Sequence, residues 1–197
     1  MGVAAGKPSL LTVAKDYIRQ QKGKTGNVYL GIVSRLDAPV TGVVLMARTS
    51  KAAARLTRQF HDREVDKAYW AIVAGHLDES SGQCEDWLCK HQRHRRVQIC
   101  REEDEGAQQA RLRWSTLELF EEHTMLQIHL ETGRKHQIRV QLSHRGHPIL
   151  GDRKYDSEEA FDAGIALHAR KLVLEHPTLK TEVAIECPPP KSWNKWV

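Results

Sequence analysis

Three short stretches concentrate the residue types that do chemistry. The first is Ser34-Arg35-Leu36-Asp37-Ala38-Pro39, which separates two apolar runs at 28–33 and 42–48. A carboxylate in such a loop projects from a rigid edge, and a neighbouring cation such as Arg35 favours its ionised form. An ionised carboxylate serves as nucleophile or as base; a turn aspartate paired locally with Arg35 is the plainer alternative. The second stretch is Glu131-Thr132-Gly133-Arg134-Lys135-His136-Gln137-Ile138-Arg139. Here a strand is expected to pass through glycine into a helix over 134–144, and a helix N-terminus with basic side chains suits phosphate or carboxylate. At about 100° per residue, Ile138 and Leu142 form the buried stripe with Arg139 beside it, while Arg134 and Lys135 point outward. A solvated basic helix is the alternative, although it would not need a tight glycine turn. In the third stretch, 67–75, the pattern changes to period two, and Tyr69 shares a face with Ala71 and Val73. Its ring could stack a base and its hydroxyl could bond a carboxylate, or it is a core aromatic.

The elements needed to position these residues are legible in outline. Apolar spacing predicts a short helix over 10–18, strands over 28–33 and 42–48, and a helix from Thr49 or Ser50 to about Arg63 with Ala52, Leu56 and Phe60 on one face. Strands are expected over 67–75, 97–100, 110–120, 124–130, 172–174 and 182–186, with Gly146 ending the 134–144 helix and a turn at His176-Pro177. The fold class expected is α+β: a mainly antiparallel mixed sheet flanked by a few helices.

Composition narrows the class. A chain of 197 residues with 40% hydrophobic and 28% charged residues can build one real core. Mean hydropathy is −0.55 and the longest apolar run is residues 68–74, well short of the about 20 residues of a membrane span. The net charge of +5 favours polyanions, though ordinary solubility explains it equally well. The four cysteines form no dense disulfide framework, which points to a reducing cytoplasm. Cys84, Cys89, His91 and His94 prompt a zinc question, but they crowd together without the long loop that separates zinc-ligand pairs; a polar hairpin with buried or idle cysteines is expected instead.

Taken together, the motifs resemble those of the RluA-type RNA pseudouridine synthases. Arg35-Leu36-Asp37 with Thr41-Gly42 is similar to the family's R-L-D-x-x-x-[ST]-G stretch. Lys67-x-Tyr69-x-Ala71-x-Val73-x-Gly75 resembles its tyrosine strand. Thr132-Gly133-Arg134-Lys135-His136-Gln137-Ile138-Arg139, continued by Gly146-His147-Pro148-Ile149-Leu150-Gly151-Asp152-Arg153-Lys154-Tyr155, resembles its T-G-R-x-H-Q-[IL]-R and G-D-x-x-Y segment. Leu167-His168-Ala169 and His176-Pro177 resemble its closing strands, so the match runs in order from about Gly31 to Pro188. Ser34 departs from the His or Asn usual in that family, and only Gly6-Lys7-Pro8-Ser9 hints at the loop that precedes the first helix in relatives. The expected organisation is therefore a single catalytic domain over 1–197, with an abbreviated N-terminus and no separate RNA-binding domain.

The resemblance implies isomerisation of uridines in ribosomal or transfer RNA to pseudouridine after base flipping. It implies Asp37 as the catalytic residue, acting as nucleophile or base, Tyr69 packed against the target base, and Arg139 paired with Asp37. Arg35 would sit at the mouth of the site, with Arg134 and His136 as RNA contacts or helix-entry supports. Residues 93–96, Arg111, Arg113 and Arg134 are candidates for the surface that follows the RNA backbone. No metal, redox cofactor, nucleotide cofactor or membrane is called for, and a monomer is expected. The competing functions are a non-catalytic RNA-binding module of the same fold and a hydrolase using Asp37 and His136.

Overall fold

A computed structural model describes residues 8–23, 25–91, 94 and 96–197. Gly6 and Lys7 of the expected N-terminal loop, and Arg93 and Arg95 of the expected RNA surface, lie outside the described residues. Helix α1, Leu10–Gln21, starts where Ser9 Oγ accepts from Thr12 N–H at 3.1 Å, and none of its residues is buried. Short strands β1 (Gly31–Ile32), β2 (Thr41–Gly42) and β3 (Met46–Ala47) follow. Helix α2, Ser50–His61, is capped by Thr49 and buries Leu56. Strands β4 (Asp66–Ala74), β5 (Ser81–Lys90), β6 (Val97–Cys100), β7 (Gln108–Leu119) and β8 (His123–Leu130) lead to helix α3 (Gln137–His144), a 3-10 turn at Arg153–Tyr155, and strands β9 (Leu167–Glu175) and β10 (Glu182–Glu186).

The main sheet runs β10-β9-β4-β8-β7-β5-β6, with β2 added in parallel against β9; the other pairings are antiparallel. This is the α+β architecture expected. One sheet face carries Tyr69, Ala71, Leu126, Ile128, Leu112 and Cys84 in mutual register, and α3 packs on that side through Ile138 and Leu142. Burying each such aliphatic side chain contributes about 1.5–3 kcal/mol.

Four local expectations are corrected. The runs at 28–33 and 42–48 do not form long strands. Val33 and Ser34 N–H both donate to Leu45 O, whereas Val43 N–H donates to Ala169 O, so the chain changes partners within one apolar run. The second correction is that α3 starts at Gln137, not 134. The left-handed residue at its entry is His136, at φ +54°, while Gly133 has no positive φ and open space around it. Third, α3 buries the expected Ile138 and Leu142 but also Gln137, Arg139 and Gln141: Gln137 and Arg139 find partners inside, and Gln141 Nε2 donates to Ala110 O while its Oε1 has no partner among the described residues. Finally, the hairpin expected around the buried Cys84 and Cys89 is present as β5 paired with β6, but β5 is a full strand whose extent the residue pattern conceals. Asp86 occupies its inward face, where Gln141 Nε2 and Arg145 Nη1 donate to it at 2.6 and 2.9 Å.

Candidate active site

Asp37 sits in the loop between β1 and β2, and that loop is fastened from behind. Val40 N–H donates to Asp37 O at 2.9 Å, and Ile165 N–H donates to Pro39 O at 3.2 Å. The close approach needs glycine: a Cβ on Gly164, at φ +77°, would lie 2.4 Å from Pro39 O. Likewise a Cβ on Gly42, at φ +115°, would lie 2.3 Å from Ala169 O. His168 completes the fastening. Its Nε2 faces Cys187 O at 3.0 Å, and that carbonyl can only accept, so Nδ1 accepts from the Thr41 hydroxyl at 2.8 Å. Burial lowers the His168 pKa, consistent with a neutral ring that braces β2 and β9.

Arg139 reaches the carboxylate of Asp37 from α3. Its Nη1 donates to Asp37 Oδ2 at 2.8 Å, while Nε and Nη2 grip Asp152 at 2.6 and 2.7 Å. Side-chain exposure is 5% for Arg139, 2% for Asp152 and 23% for Asp37, so the guanidinium and its rear partner are sealed while the Asp37 carboxylate remains reachable. Burial opposes the Arg139 charge, but the hydrogen bonds it donates to two carboxylates outweigh it and raise the pKa further. Tyr155 lies beneath, its ring centroid 5.0 Å from the guanidinium carbon.

His136 and Tyr69 complete the surroundings. His136 Nε2 is 3.7 Å from Asp37 Oδ2, and its Nδ1 is 2.7 Å from the Tyr155 hydroxyl. Burial pushes the imidazole down to about 4 despite the opposing pull of Asp37. Tyr69 lies at a register shift in β4, where an irregular step re-aims side chains. Burial and the negative charge of Asp37 push its phenol up to about 12, so it stays protonated across the physiological range.

The structure thus brings Asp37, Arg139 and His136 into contact, with Tyr69 near enough to feel the charge of Asp37. Arg35 is exposed and makes no ion pair among the described residues, so the cation holding Asp37 is Arg139, from a distant part of the chain. Arg134 does not point outward: its Nε donates to Gln109 O at 2.9 Å and fastens the turn to β7. Arg111 and Arg113 pair with Glu131 at 3.5 and 3.0 Å and alternate with inward-facing Leu112. Both therefore lie on the sheet face opposite Tyr69. Ser34 accepts the Leu45 N–H at 2.7 Å and supports the loop. Cys84 and Cys89 are both buried but face opposite sides of β5. Sequence reasoning assigned no role to Asp152 or Tyr155, although the Gly151-Asp152-x-x-Tyr155 pattern was in view.

The site places a loop carboxylate against a buried guanidinium, and comparison with known proteins supplies the family. The family model described as RNA pseudouridylate synthase matches residues 2–144, and the chain belongs to that family. It is 34% identical over 168 residues to an uncharacterised RNA pseudouridine synthase of Synechocystis sp., covering 84% of this chain and 51% of the relative. It is also 34% identical over 174 residues to ribosomal large subunit pseudouridine synthase D of Vibrio cholerae, covering 81% and 52%. The chain spans about half the length of the curated relatives it matches. Among solved structures, human RNA pseudouridylate synthase domain containing 4 superposes with a TM-score of 0.80 at 24% identity, covering 96% of this chain and 84% of that one, and shares the fold. Human RNA pseudouridylate synthase domain containing 1 gives 0.74 at 26% identity, covering 91% and 75%.

Proposed function

We propose that this chain isomerises uridine in RNA to pseudouridine, with Asp37 as the reacting carboxylate. The observation that carries the reading is the Asp37–Arg139 pair: a partly exposed carboxylate held at 2.8 Å by a buried guanidinium that is itself locked onto Asp152. A binding module would gain nothing from such a costly arrangement next to phosphates. In the reaction the bond between C1′ and N1 of uracil breaks, the base turns, and a bond from C1′ to C5 forms. The C5 proton leaves and N1 regains one, so atoms balance without an external reagent. Asp37 supports this either by attacking the nucleotide or by removing a sugar proton.

Tyr69 packs against the flipped base as a neutral phenol, and Arg35, exposed beside the loop, contacts a flanking phosphate. Arg134 serves as a helix-entry support. The substrate proposed for the first test is large-subunit ribosomal RNA, after the printed name of the Vibrio cholerae relative; transfer RNA is the second. The setting proposed is the cytoplasm. Among the described residues no helix is long and apolar enough to cross a membrane.

The test is incubation of the purified chain with uridine-containing RNA transcripts, followed by nucleoside analysis. The parent is expected to form pseudouridine, and Asp37→Asn to bind the same RNA without converting it. Conversion by both proteins would remove Asp37 from its role, and release of free uracil would favour the hydrolase.

A further inference from the structure

The family match ends at residue 144, yet Asp152 and Tyr155, beyond it, reach back to the groups around Asp37. We propose that Tyr155 is a positioning residue: its hydroxyl holds His136 neutral with the proton on Nε2, so that Asp37 meets a single cation on Oδ2 and keeps Oδ1 for reaction. The inference deepens the synthase reading and rests on it.

The argument is a count of donors and acceptors. Tyr155 is 3% exposed, so no water shell can serve its hydroxyl. The Tyr155 oxygen already accepts Val97 N–H at 3.0 Å. Among the described residues its own proton has one partner in reach, His136 Nδ1 at 2.7 Å. Nδ1 is then an acceptor, and the proton of the neutral ring sits on Nε2, 3.7 Å from Asp37 Oδ2. Protonating His136 would put a second proton donor against the tyrosine and leave the buried hydroxyl proton without an acceptor, which is costly. The other charges facing the ring act unequally: Asp37 favours protonation, while Arg139, Lys154 and Lys135 oppose it.

The consequence falls on Asp37. Among the described residues Arg139 and His136 both face Oδ2, and Oδ1 accepts no hydrogen bond. A protonated His136 would place a second cation beside Arg139 and make the carboxylate a weaker base and nucleophile. Tyr155 therefore acts through His136 and touches no reacting atom.

The experiment reads the His136 ring directly by nitrogen NMR on the intact chain, with the resonance assigned by its loss in His136→Gln. The parent is expected to show a neutral ring protonated on Nε2 from pH 8 down to about 5.5. In Tyr155→Phe the His136 pKa should rise from about 4 to its ordinary value of about 6.5. The variant's kcat should then fall about fivefold between pH 8 and pH 6, with RNA affinity unchanged, whereas the parent should change less than about twofold. A parent ring protonated on Nδ1, or charged at pH 6, overturns the proposal whether or not the variant folds. A parent with the expected tautomer that converts no uridine overturns the synthase reading instead, and the two failures are thereby distinguished.

Discussion

Two aspartate–arginine pairs hang on the same short helix and behave differently. Arg139 on α3 meets Asp37, and Arg145, just past its end, meets Asp86 of β5. At Asp86 every acceptor is engaged: Oδ2 takes Gln141 Nε2 at 2.6 Å and Arg145 Nη1 at 2.9 Å, and Oδ1 takes Arg145 Nη2 at 3.2 Å. At Asp37 only Oδ2 is held among the described residues, and Arg139 turns its other two nitrogens onto Asp152. Asp86 is a latch between helix and sheet, while Asp37 has one oxygen without a hydrogen bond among the described residues. The difference lies in which way the guanidinium fork turns, and Asp152 turns it.

The sharpest way to break this comparison is to neutralise each aspartate in turn. Asp37→Asn should lower pseudouridine formation by about 10³-fold or more while the unfolding midpoint stays near the parent's. Asp86→Asn should leave turnover unchanged. If Asp86→Asn were the variant that stopped turnover, the assignment of latch and reacting group would be reversed.

Removing the shared device is the next test. Arg139→Ala leaves Asp152 buried without its cation, so about 3–5 kcal/mol of stability should be lost, as read from urea unfolding. Arg139→Lys should retain part of the stability but lose turnover, since an ammonium cannot grip Asp152 with two parallel bonds and hold Asp37 as well. By contrast Asp86→Asn should cost about 1–2 kcal/mol, because that pair is partly solvated.

The smallest effect is a pH slope. His136 and His168 both have pKa values lowered by burial, His136 to about 4. In the unfolded chain each takes a proton near pH 6.5, so the unfolded state binds more protons below that value. Stability is full above about pH 6.5 and falls as pH drops toward 4. His136→Gln should flatten that slope in a urea series run across the window, and an unchanged slope would assign it to His168 and other groups.

How far the chain could be read without coordinates depended on how local each signal is. Helix α2 was legible because Thr49 precedes an amphipathic spacing, and β6 and β10 appeared at their observed limits. Strand β5 was concealed because an inward position is filled by Asp86, whose partners lie on α3. The 28–33 and 42–48 runs look like uninterrupted strands, since nothing in them reports that Val43 will pair with β9 while Leu45 pairs back to Val33 and Ser34. At the site, Asp37, Tyr69 and Arg139 stood out through their motifs, whereas the inward turn of Arg134 depended on the carbonyl of Gln109.

What the amino-acid order alone determined is the set of groups: a loop carboxylate, a strand phenol and a helix guanidinium, each on an element whose periodicity or cap is written within about a dozen residues. What only tertiary structure decided is their arrangement: which cation holds Asp37, which of its oxygens that cation takes, and which groups the two nitrogens of His136 face. Those depend on contacts between residues 37, 136, 139, 152 and 155. Hydrogen-bond capacity is finite, and only the folded chain shows where each donor has gone.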